Sequence, residues 1–203
     1  MNRHLVWTGC VCVLLIVAAY MFISSHSGWT FVSTDGRISL AVPSGWTRRP
    51  PSFAATLLWV TNTKQQNIEV FEYSCSCFKD GAAVSDFTDA VVSDYQNTLS
   101  DFSGGQTADV TLGKLPARQA TFSGTRSTGE QRAYLAVACT DGTYFYLLLG
   151  SAEPSKFGNP SDYQSIFQTF KLLDMPVEQG KTPAAWNYND TVKILMNDGV
   201  VSF

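Results

Sequence analysis

Five cysteines, seventeen acidic residues and two histidines bound the chemistry this chain can attempt. Both histidines, His4 and His26, flank an uncharged apolar run, so the remainder of the chain has no imidazole at all. That removes Ser-His-Asp and Cys-His nucleophile systems, histidine metal sites and histidine proton shuttles. Outside the run the thiols are Cys75, Cys77 and Cys139. Read as two positions of one strand, Cys75 and Cys77 point to the same side, while Cys139 ends a strongly apolar segment. Three readings stay open: a disulfide from one of the pair to Cys139 in an oxidising compartment, inert buried thiols, or a redox or metal centre, the last short of ligands without histidine. Carboxylates recur as Glu69 with Glu72 and as Asp86 with Asp89. Three positions apart on a strand they face opposite sides, and three apart on a helix they share a solvated face, so neither pair builds the cleft that acid-base work needs. No catalytic residue, cofactor or metal is expected.

A binding role leaves a different trace. Arg48 and Arg49 follow Trp46 in a proline-rich corner, two cations and an aromatic ring that would suit anionic lipid or an acidic partner. The plainer reading is a pair of solvated loop charges beside a core ring. The surplus of aromatic residues, 13% of the chain, is mostly core by the same reasoning, with an exposed subset free to form a docking patch.

The elements that must position these residues begin with residues 5–23, nineteen positions without a charge. As a helix they span about 28 Å, the thickness of a bilayer core. Arg3 and the amino terminus lie before the run, which keeps residues 1–4 cytoplasmic and exports the rest of the chain. We read the run as a retained signal-anchor helix, with the domain extracytoplasmic, in the periplasm or at the cell surface. A signal peptide cleaved near Ser25-His26-Ser27 is the alternative. Cys10 as a lipoprotein cysteine has only Leu5, Val6 and Trp7 as apolar core before Thr8, too short for export. Charged residues make up only 15% of the chain, a low-charge surface suited to a membrane or a partner, and without a basic run nucleic acid is excluded as a ligand.

From Trp29 the chain reads as one domain of ordinary size. Two apolar runs around Asp35-Gly36 spell a hairpin that supplies the first edge of a sheet, and Pro43-Ser44-Gly45-Trp46 turns the chain away from it. Residues 47–51 break regular structure through Pro50-Pro51. A second hairpin pairs 57–60 with 67–73 around Lys64-Gln65-Gln66. Val84, Phe87, Val91, Tyr95 and Phe102 recur at steps of three and four, a helix of about 18 residues begun near Asp80-Gly81 and stopped by Gly104-Gly105. Strands return at 109–112 and 115–122, and 133–139 with 143–149 form the clearest hairpin, closed at Asp141-Gly142. Both of its arms are nearly continuous apolar runs, the mark of central strands covered on two faces. A last helix follows Pro160, with Ser161 as N-cap and Tyr163, Ile166, Phe167 and Phe170 on one stripe. Residues 174–203 read as a linker and a C-terminal hairpin, marginal alone, that would pack back on the domain or extend a sheet.

The order of these features, from the Asp-Gly hairpin ending in Pro43-x-Gly45-Trp46, through Leu115-Pro116-Ala117-Arg118, to Tyr163-x-x-Ile166-Phe167-x-x-Phe170, resembles the PsbP-like family over residues 29–173. The resemblance, to the PsbP/DcrB-type fold, implies an α+β domain in which helices flank an antiparallel β-sheet as an α/β/α sandwich, here after an N-terminal transmembrane helix. It also implies an accessory or docking role through protein-protein contacts in the cell envelope. A carrier or sensor of a small apolar ligand or lipid is the second reading, and an enzyme the weakest. The partner is a protein whose identity the residues do not reveal, beside the membrane held through 5–23.

Overall fold

The computed structural model describes residues 28–173 apart from 52, 79 and 80. The run at 5–23 and the segment 174–203 lie outside the described residues, within which no helix is long and apolar enough to cross a membrane.

The strands are β1 (Trp29–Val32), β2 (Ile38–Val42), β3 (Trp46–Arg49), β4 (Thr56–Asn62), β5 (Asn67–Ser74), β6 (Ser100–Leu112), β7 (Leu115–Thr125), β8 (Gln131–Thr140), β9 (Tyr144–Ala152) and β10 (Lys171–Leu172). The helices are α1 (Val84–Thr98), the single turn α2 (Pro154–Phe157) and α3 (Pro160–Phe167). Seven strands form an antiparallel sheet in the order β3-β4-β5-β9-β8-β7-β6, and β1-β2-β10 form a smaller one. This is the expected α+β sandwich, with one difference. The opening hairpin is not an edge of the main sheet; it belongs to a separate sheet that β10 completes from the other end of the domain. Gly45, at a φ of 89°, makes the turn through which the chain passes from the small sheet to the large one.

Two-sided burial explains the apolar runs. Along β8, Leu135, Val137 and Cys139 enter one core with β2 and α3, and Tyr134, Ala136 and Ala138 enter the other with α1. The second core is rich in rings: Phe87 stacks on Phe145 with centroids 4.8 Å apart, and Tyr95 meets both Phe122 and Tyr134. Such pairs add about 0.5–1.5 kcal/mol each beyond their buried area.

Three local expectations are corrected. The first helix has 15 residues, and Gly104-Gly105 lie inside β6 rather than at its end. Both glycines have positive φ, and the ladder with β7 shifts register across them; at Gly104 a Cβ would sit 2.6 Å from the Thr121 carbonyl oxygen. They bend an edge strand, as bulges do. Residues 46–49 form β3 before the prolines end it, since an edge strand needs only one partner. The cap of α3 is Asn159, whose Oδ1 accepts from the Ser161 N–H, and Pro160 takes the first helical position.

An ionic cluster ties the small sheet to the large one. Arg37, in the β1–β2 turn, donates from Nε to Asp35 at 2.7 Å and sets Nη1 2.5 Å from the Glu72 carboxylate on β5, whose side chain is 8% exposed. Its guanidinium also lies 5.3 Å from the ring centre of Tyr144 on β9. Beside it, the Tyr146 hydroxyl donates to Asp141 at 2.9 Å. Burial lifts the Glu72 carboxyl above its ordinary range; Arg37 opposes this, while Asp35 and Asp141 add to it. For Asp35 burial also acts upward, but hydrogen bonds from Ser33 and Arg37 outweigh it and hold the carboxyl low.

The folded state thus holds a proton on Glu72 more readily than the unfolded chain does. Its contribution to stability is complete below the unfolded glutamate pKa of about 4.3 and falls as pH rises toward the folded value. Asp35 acts in the opposite sense, contributing above the ordinary aspartate range and losing that contribution in stronger acid. Thermal melts of the parent and Glu72→Gln between pH 4 and 7 should show the parent's relative stability shrinking as pH rises. A relative stability that grows with pH would mean that Arg37 depresses the carboxyl instead. A second test concerns the seat of α3. At Gly150 a Cβ would run into the Tyr163 ring, so Gly150→Ala should cost about 1–3 kcal/mol by overpacking, and adding Tyr163→Leu should recover part of it in denaturant titrations.

Candidate docking face

Cys75 and Cys139 do not meet. Cys75 opens a short 3₁₀ turn, Cys75–Cys77, so the pair is not on a strand; the turn is fixed by the Ser74 hydroxyl accepting from the Ser76 N–H. Cys139 lies in the core shared with α3, whereas Cys75 packs against the core under α1, on the other side of the large sheet. The sheet itself therefore stands between them, and they are not bridged to each other. The Cys77 side chain lies outside the described part. Burial, with Asp141 adding to it, pushes the Cys139 thiol up to about 12, so it stays protonated and inert as nucleophile or metal ligand. No three Cys, Asp, Glu or His side chains converge in a way that would hold a metal ion among the described residues.

Trp46 is 7% exposed and belongs to the core under α3, where it serves packing rather than a surface. Arg48 stays at the surface but is anchored: Nη1 donates to the Val32 carbonyl at 3.0 Å and Nη2 to the Thr34 hydroxyl at 2.8 Å. Pairing across β3 and β4 puts Arg48 opposite buried Val60 and Arg49 opposite Trp59, so the two arginines leave β3 on different faces. The structure brings Arg48 together with the β1 edge and separates it from Arg49.

Helix α3 is short, capped at both ends by polar side chains, and laid across the large sheet by Tyr163, Ile166 and Phe167. At its C-terminal end Gln168 accepts from the Gly113 N–H and donates to the Thr111 carbonyl, tying the helix to the β6–β7 turn. Thr169 then hydrogen-bonds both the N–H and the carbonyl of Ala41, continuing the β2 edge with a side chain. An open groove of about 440 Å³ remains on the β2 side, walled by Val42, Pro43, Trp46 and Ile166 with Gln66 and Asp162 at its polar rim. A second, of about 460 Å³, remains on the β6–β7 side between Val110, Leu112 and Phe167. Ser165, exposed on the helix crest, borders both. Both are open troughs.

Sequence reasoning weighed Glu72 only against Glu69 and missed its pairing with Arg37, because the two residues lie 35 positions apart in chain and no local pattern marks the pair. It also passed over Trp29, 65% exposed, and Val32, 41% exposed, the large apolar side chains left in solvent among the described residues. The available signal was position: Trp29 is the first aromatic after the apolar run and its short link.

No protein-family model matches the sequence, and no curated protein is similar to it at sequence level. Solved structures are similar in fold. The solution structure of cyanobacterial PsbP (CyanoP) from Synechocystis sp. PCC 6803 is 12% identical, with a TM-score of 0.55, 73% of this chain and 94% of that one covered. LpqN, involved in cell envelope biogenesis of Mycobacterium tuberculosis, is 17% identical with a TM-score of 0.54 over 73% of this chain and 91% of its own. A protein from Bacteroides thetaiotaomicron VPI-5482 is 14% identical with a TM-score of 0.50, covering 77% of this chain and 51% of that one. The chain has the PsbP-like fold, an antiparallel sheet flanked by helices, shared as architecture.

Proposed function

We propose that this protein is a membrane-tethered, extracytoplasmic accessory protein that acts by docking another protein in the cell envelope, with residues 5–23 as its anchor. The fold it shares with LpqN, a protein involved in cell envelope biogenesis, supports that setting. The observation that carries the mode of action is the face around α3: two open troughs meet at one exposed helix crest, on a domain whose thiols and carboxylates form no converging set among the described residues. Open troughs suit side chains of a partner laid across the helix. A carrier would enclose its ligand and bury most of it, which these troughs do not do.

The crest gives the test. Ser165→Arg places a long cation between the troughs at an exposed position, where substitutions change stability by about 0.5 kcal/mol or less. Affinity purification of the full chain from detergent-solubilised membranes should recover a protein partner with the parent and lose it with Ser165→Arg, at unchanged melting temperature. Recovery of bound lipid instead of protein would turn the reading toward a carrier, and equal recovery with the variant would move the docking face elsewhere.

A further inference from the structure

Strand β1 is the open edge of the small sheet, and it carries Trp29 and Val32 in solvent. A tryptophan that far exposed gains by lying at a membrane-water boundary, where its apolar body leaves water and its N–H keeps a polar partner. At the Val32 end of the same edge stands an uncompensated cation. Arg48 binds only the neutral Val32 carbonyl and Thr34 hydroxyl, and no carboxylate pairs with it among the described residues. The nearest acidic residue in chain, Asp35, is taken by Arg37 and Ser33. Trp29 and Val32 lie about 10 Å apart along the strand and, three positions apart, leave it on its two faces, so what they share is the open edge of β1 rather than a face of the sheet. Only residues 24–28 separate the end of the apolar run from Trp29, a link of at most about 18 Å fully extended.

From these observations, and resting on the proposed anchor, we infer that the β1 edge is a second membrane contact: Trp29 and Val32 sit in the headgroup layer and Arg48 meets anionic lipid phosphate. The anchor then fixes the orientation of the domain as well as its location.

The test uses the full chain in vesicles of phosphatidylcholine and phosphatidylglycerol whose acyl chains are brominated near the carbonyl, which quench tryptophan at that depth. The emission removed by Trp29→Phe should be blue-shifted and quenched, and in the Arg48→Gln protein that same component should lose the dependence on anionic lipid seen in the parent. An unquenched Trp29 component in a chain that resists alkaline carbonate extraction overturns the inference and leaves the tether standing. A chain that carbonate washes off overturns both. Because Trp29 is a surface residue, Trp29→Phe keeps the fold, and an unchanged melting temperature checks this.

Discussion

The seven-stranded sheet is covered on both faces, and most of the remaining architecture depends on that. A strand in such a sheet has no side on which to put a polar group, so β8 and β9 are apolar at nearly every position. Helix α1, with Phe53 and Phe78 beside it, covers one face, the rings of Phe87 and Tyr95 set against Phe145, Phe122 and Tyr134. The other face is too wide for α3, and the small sheet fills the remainder. Glu72 marks the limit of the rule: at the margin of the core under α3 and the small sheet, a carboxylate is tolerated because Arg37 comes in from the covering layer. Ion pairs of this kind contribute little net energy once desolvation is counted, yet leaving one partner alone is costly. The pair therefore specifies where the small sheet sits more than it stabilises the domain.

How much was legible depended on the range over which each signal acts. The β8–β9 hairpin was plain, since Asp141-Gly142 and two apolar arms are contiguous in sequence. The stripe of Tyr163, Ile166 and Phe167 was equally plain from its spacing. Gly104-Gly105 misled because a glycine pair that ends a helix and one that bends a strand look alike; only the Thr121 carbonyl pressed against Gly104 separates them. The small sheet was invisible as a unit, because β2 takes its second partner from residues 171 and 172 and two-residue strands have no periodicity. The site suffered more. Trp46 and Arg48 differ in burial for reasons of layer packing, and neither neighbour in sequence foretells it.

The chemistry that the residue types allow and the geometry that the fold permits point the same way. Cys75 and Cys139 are divided by the sheet, and Cys139, in the α3 core, is held protonated by burial. At the surface the described residues present a helix crest, two troughs and an exposed strand edge. These are the materials of contact, with the troughs on one layer and the exposed tryptophan at its rim.

The small sheet also sets an order of events in folding. Its middle strand is made early in synthesis, but one of its ladders needs residues 171 and 172, and the Thr169 side chain clasps Ala41 across 128 positions of chain. Contacts of such separation form late, because the loop they close must be ordered first. As the chain is made, β2 therefore waits with one edge unpaired and its apolar face uncovered by α3 until almost the whole domain has emerged. The interval in which this protein is vulnerable to misassembly or to capture by a chaperone is set by the time needed to deliver its last described strand.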